Sequence, residues 1–254
     1  MANSDYKAAP WQRTFLLAKP FALMAAYVAA ANLGSWWWIA ALLVIPFLSS
    51  TMSVVMHDVG HGLVGGRARH WWLFVLGASQ MLSGHAFWAT HSQHHRRYPA
   101  AAKVDPEGAP CVKSFTEMVR MMPTFAPLLW FWAWRNKPVV RCWLGVEASA
   151  SAGLILLGSI LWLEYSRPLL LIYCLSTMGT GWVGYTLVAW LSHQRHLLNG
   201  PRQQAFAGTF VGSMVAYFFG VIVFHAEHHT CESVPSCNLA RFANNNPSIA
   251  IDVI

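Results

Sequence analysis

"AFAGTFVGSMVAYFFGVIVFHAEHH", residues 205–229, decides how this chain folds. Residues 205–224 carry no charge, and twenty helical residues are enough to cross a bilayer core about 30 Å thick. The last five place three imidazoles, His225, His228 and His229, where the apolar run stops. A helix that crosses would carry them away from any histidine left behind. A helix that bends or lies along the interface would return them to it.

The rest of the chain supplies the partners. It holds twelve histidines, and eight fall in three clusters: "HDVGH" (57–61), "HSQHH" (91–95) and "HAEHH" (225–229). Positions i, i+3 and i+4 share one helix face, so each cluster is expected to aim its rings at a single point. A lone HxxxH reads as a chance pair. Two HxxHH copies with one HxxxH, each at the end of an apolar segment, read as metal ligands. Eight imidazoles exceed what one metal takes, since zinc is content with about four ligands. Two metals sharing eight or nine histidines point to two irons and oxygen chemistry ahead of zinc hydrolysis.

A shared site requires 205–224 to return to the side of the other boxes, with Gly208, Gly212 and Gly220 easing a bend or a close approach. Four histidines lie outside the boxes. His193 follows a long apolar run and is the expected ninth ligand. His196 reads as a surface residue or as support for a ligand, and His85 as a bystander or such a support. His70, among Arg67, Arg69 and Trp71, reads as a solvated interfacial residue.

Composition agrees with a membrane setting. The chain has 254 residues, 56% of them hydrophobic and only 11% charged. A soluble domain carries about twice that charged share. The net charge of +7 does not indicate nucleic acid, because the basic residues cluster beside apolar stretches and no nucleotide-binding motif is present. Five cysteines without CxxC spacing read as free thiols. The first twenty residues lack the order of a signal peptide, so a retained cytoplasmic N-terminus is expected.

The expected fold is therefore all-α, a polytopic membrane domain with four transmembrane helices, interfacial helices and a cytoplasmic histidine cap. The spans fall at about 15–31, 36–56, 145–163 and 169–191. Segments 71–84, 123–134 and 205–224 read as interfacial or bent. Arg67, Arg69, Arg96, Arg97, Lys103, Arg135, Lys137, Arg141, Arg195 and Arg202 fall on one side of this plan, which places both termini and the boxes in the cytoplasm. A bacterial inner membrane or its equivalent is the expected location. The small and aromatic residues at 179–190 pack helices or line a channel.

These boxes, in this order, resemble the membrane fatty acid desaturase and hydroxylase superfamily, over residues 36–242 or so. The resemblance implies a non-haem site of two iron ions with O2 as co-substrate. It assigns His57, His61, His91, His94, His95, His225, His228 and His229 as ligands, with His193 as the additional histidine. It implies no catalytic residue beyond the ligands, and Asp58 could orient a ligand imidazole. The tail "HAEHHTCESVPSCNLARF" and the stretch "HHRRYPAAAKVDPEG" are similar to acyl-lipid desaturases and carotenoid ketolases. The chain is short for a desaturase, yet lacks the histidine-richer third box of the ketolases. The resemblance is to members without a fused haem-binding domain, and no dinucleotide fingerprint is read in these residues. A separate electron donor such as ferredoxin or cytochrome b5 is implied, with an apolar substrate drawn from the lipid bilayer. Acyl-chain desaturation is the leading expectation, lipid or carotenoid hydroxylation or ketolation the alternative, and a non-enzymatic metal binder or transporter the remaining class.

Overall fold

A computed structural model describes residues 4–33, 37–97, 104–111, 113–193 and 206–246, with backbone alone at 37–41. Every regular element among them is helical. Helix α1 (Pro10–Ala31) starts at a proline, whose fixed φ suits a first turn, and packs along α2 (Trp37–Gly60). Helices α3 (Arg69–Ser79) and α4 (Gly84–Arg97) form a tight pair. A Cβ on Gly84 would lie 2.1 Å from the Leu73 carbonyl oxygen, so only glycine permits this approach. Helices α5 (Phe115–Asn136), α6 (Arg141–Tyr165) and α7 (Leu169–Ser192) complete the bundle. All five cysteines are free, as their spacing predicts.

Among the described residues, three stretches are long and apolar enough to cross a membrane: Pro10–Ala31, Leu42–Gly60 and Pro138–Tyr165. Four were expected, and the fourth, α7, falls outside this set. Its 24 residues carry no charge, but serines, threonines and glycines dilute them. Helix α7 packs against α2, α5 and α6. Its hydroxyls bond back into the helix, Thr177 to the Tyr173 carbonyl at 2.8 Å and Thr186 to Trp182 at 2.9 Å.

Segment 123–134 belongs to a longer helix than its apolar core suggests. Helix α5 starts at Ser114, whose side chain accepts from the Glu117 N–H while Glu117 Oε2 accepts from the Ser114 N–H at 3.1 Å. That start carries it through Pro123 and Pro127.

The deciding stretch does not form one crossing helix. Thr209 caps a new start, its hydroxyl accepting from Gly212 N–H at 2.9 Å, and α8 (Phe210–Val223) has only 14 residues. At 1.5 Å per residue it spans about 21 Å, short of a bilayer core. Phe219 leaves helical geometry (φ −134°, ψ 15°) and bends α8 before its end. Beside it, a Cβ on Gly220 would lie 2.2 Å from the Ser236 carbonyl oxygen, so this glycine allows the tail to pack on α8. Two short helices follow, α9 (His225–Thr230) and α10 (Leu239–Asn245). Asn238 then bonds to the Tyr6 carbonyl at 2.9 Å and accepts from Gln12, which ties the tail to the start of the chain.

Candidate metal centre

The bend has a chemical consequence. Helix α9 delivers its three histidines to those of α2 and α4, and the site assembles from four places in the chain. Nine histidines form two groups, within each of which one ring nitrogen per residue lies within 4.8 Å of all the others. The first holds His57, His61, His91, His95 and His228; the second holds His94, His193, His225 and His229. In the first, His228 Nε2 lies 2.9 Å from both His57 Nε2 and His95 Nε2. In the second, His193 Nε2 lies 3.1 Å from His94 Nε2 and 3.2 Å from His225 Nε2.

The expectation that each box aims at one point is corrected here. In α4, His91 and His95 join the first group and His94 the second; in α9, His225 and His229 join the second and His228 the first. Helical geometry requires the split. With 3.6 residues per turn, i+4 sits about 40° to one side of i and i+3 about 60° to the other. An HxxHH helix lying between two points therefore serves both, with its outer pair on one and its middle histidine on the other.

The opposite ring nitrogens are held from behind. His91 Nδ1 lies 2.8 Å from Glu107 Oε1 and His94 Nδ1 2.9 Å from Asp105 Oδ2. Glu232 sits between His61 and His95, 3.5 and 3.3 Å from their Nδ1 atoms. His193 Nδ1 donates to the Ala189 carbonyl at 2.6 Å and His225 Nδ1 to the Val221 carbonyl at 3.0 Å. Asp58 contacts Nδ1 of its neighbour His57 at 3.3 Å, and accepts from the Ser236 hydroxyl at 2.6 Å and backbone N–H at 3.0 Å. It thereby fastens the first box to the chain that follows the third.

These contacts fix what the site can accept. A carbonyl takes only a proton, so His193 and His225 carry theirs on Nδ1 and face each other with Nε2 lone pairs. Such convergence of lone pairs suits a cation. His61 Nε2 and His228 Nδ1 are buried without hydrogen-bond partners, and the His61 ring lies 4.9 Å from those of His95 and His228. Burial, followed by the neighbouring imidazoles, pushes His91, His225, His228 and His229 well below the usual histidine value. His61 and His193 fall to about 4 for the same reasons. Neutral imidazole is the form that binds metal. The donor set is nitrogen throughout, as soft-to-borderline transition metals prefer, which fits iron.

Asp105, Glu107 and Glu232 were not picked out from sequence. The signal lay in "DPEG": a Cβ on Gly108 would lie 2.1 Å from Asp105 Oδ2, and the Gly108 N–H binds Asp105 Oδ1 at 2.9 Å. A glycine three residues after an aspartate marks the turn that directs the carboxylates back at the boxes. His85 joins neither group, and His196 lies outside the described residues.

A cavity of about 290 Å³ adjoins both groups, lined by His57 and His91 of the first and His193 and His225 of the second. Its remaining wall is mainly apolar and includes Gly181, Gly184, Leu187 and Val188 of α7, within the stretch whose small and aromatic residues suggested a channel.

The fatty acid desaturase family matches residues 34–250. No curated protein and no solved structure matches the chain.

Proposed function

Because the chain belongs to the fatty acid desaturase family, a family of membrane oxidoreductases, we propose that it is an O2-dependent di-iron enzyme that removes hydrogen from C–H bonds of a membrane lipid. Acyl-chain desaturation is the reaction put first. The observation that carries this reading is the apolar cavity walled by histidines of both groups. A metal transporter would need a polar path, whereas here an apolar chain can lie directly against the ligands.

The two histidine groups would hold one iron each, and the irons supply the power to oxidise an unactivated C–H bond when reduced and given O2. The chain's own residues supply the rest. Asp105, Glu107 and the carbonyls of Ala189 and Val221 fix the rings by their Nδ1 atoms, so each Nε2 keeps one direction. The apolar cavity excludes water and holds the reacting carbons in line, where orientation decides between near-equal outcomes. Removal of two hydrogens from adjacent carbons leaves an alkene; O2, those two hydrogens, two electrons and two protons leave as two waters. The electrons come from a separate donor on the cytoplasmic side.

The test is a lipid and pigment mass profile of a host making both fatty acids and carotenoids, with and without the protein. His228→Ala, which removes a nitrogen near both His57 and His95, is the control. Acyl chains lighter by two hydrogens support desaturation, and the change should vanish in the variant along with bound iron. Products that gain oxygen instead assign hydroxylation or ketolation. Unchanged lipids with two bound metals would overturn the enzymatic reading.

A further inference from the structure

Behind the histidine site, α6 carries Glu147 inside the apolar stretch Pro138–Tyr165. It is 1% exposed, and an ionisable group at such a depth is costly enough to imply a function. His85 Nδ1 and its backbone N–H donate to Glu147 Oε1 at 2.8 and 3.2 Å, and the Ser83 hydroxyl donates to Oε2. A carboxylate offers about four acceptor positions, so these three bonds leave one on Oε2.

Glu147 and Ser83 form part of the wall of a second cavity of about 380 Å³. The rest of that wall is largely apolar and aromatic, with Met56, Leu82, Trp130 and Trp182 among its members. Ser151, one turn along α6 from Glu147, adds a hydroxyl to the same wall. Ser53, Phe87 and Tyr185 belong to the walls of both this cavity and the one beside the histidines. The two spaces therefore adjoin, one ending at the metal ligands and the other at a carboxyl group.

We infer that the second cavity takes the end of the lipid substrate remote from the reacting carbon, and that this end carries an uncharged hydroxyl group donating to Glu147. The inference rests on the functional reading above for which cavity holds the reacting carbon. An apolar cavity with a few placed polar groups orients its ligand through them. A plain hydrocarbon end would leave the open position on Glu147 facing apolar surface, which costs free energy. A charged end would cost more, because one carboxyl already shared with His85 cannot replace the lost hydration.

The test uses the purified, iron-loaded full chain in detergent and two probes that differ in one donor. One is a long-chain alcohol brominated at mid-chain, the other its methyl ether; bromine quenches the tryptophan fluorescence of Trp130 and Trp182. Ala126→Phe, on the cavity wall, supplies the background from probe in the micelle. The alcohol should bind about tenfold tighter than the ether, a typical return for one hydrogen bond to a charged group. Glu147→Gln should reduce the ratio below about twofold with iron content unchanged. Should that variant not fold, Glu147→Asp, which withdraws the carboxyl by one methylene, should lower the ratio at least threefold. Equal binding of the two probes by the native chain, or a ratio that survives in a folded Glu147 variant, overturns the inference. Binding is read without turnover, so equal binding beside altered host lipids removes this inference and leaves the enzymatic function standing. Unaltered host lipids beside a retained alcohol preference remove the function and leave Glu147 a hydroxyl-binding group.

Discussion

Glu107 and Asp105 each stand behind one histidine, against its Nδ1, and Glu107 also borders the cavity beside both groups, so their effect on the metal is read from metal binding without substrate. Removing such a support typically lowers metal affinity 10–100-fold. Glu107→Ala should weaken iron binding within about that range, measured by metal titration of the stripped protein. Glu107→Gln keeps an acceptor for His91 and should retain most of the affinity; equal loss in both would mean that charge matters and orientation does not. Protonation gives a second prediction. His61 and His193 are lowered to about 4 in the fold, against about 6.5 unfolded. The unfolded chain then binds more protons between these values, so stability rises with pH across that window. The metal-free protein should therefore be most stable above about pH 6.5 and lose stability as pH falls towards 4. Thermal unfolding followed from pH 7 to 4 checks this, and a flat profile would show the histidines open to water.

The helices owe their arrangement to a few close approaches, and these can be tested separately from chemistry. Gly220→Ala places a methyl carbon against the Ser236 carbonyl, so α8 and the tail must part. Overpacking of this kind costs about 1–3 kcal/mol, and because His225 follows five residues later, iron binding should weaken with stability. Gly145→Ala meets nothing within 4 Å and sits within α6, where alanine is the better helix former by up to about 1 kcal/mol. It should be neutral or stabilising in the same thermal assay. Much of this level was legible from sequence. The break in 205–224 followed from a chemical demand: His225 can meet His94 only if the run turns back. The start of α5 lies in the Ser114–Glu117 cap, a polar signal outside the apolar stretch 123–134. The pairing of His91 with His95, apart from His94, was legible in principle from 3.6 residues per turn. The carboxylates behind them were legible only as the turn signal in "DPEG", because Asp105 and Glu107 lie 11 and 16 positions from His94 and His91, outside the reach of helical periodicity.

As a whole, the chain brings distant segments to one end of the bundle. Tyr6 and Gln12 bond to Asn238, and the histidines of α2, α4 and α9 meet His193 at the end of α7. The opposite end of the α6–α7 pair is the turn at 166–168. Helix α6, with 25 residues, runs about 38 Å and α7, with 24, about 36 Å, each longer than a bilayer core of about 30 Å. Helix α7 was legible as a span by length and lack of charge, and its serines, threonines and glycines separate it from the other three. Its crossing is therefore the part of the topology that most needs a direct measurement. If α6 and α7 both cross, Arg167 reaches the face away from the histidines, while the exposed thiol of Cys142 at the start of α6 stays on the histidine side. In intact cells a membrane-impermeant maleimide should label Arg167→Cys and leave the native chain unlabelled. After permeabilisation, Cys142 should label as well. Labelling of native Cys142 from outside would invert the orientation, and protection of Arg167→Cys until permeabilisation would mean that α6 and α7 do not carry the turn across.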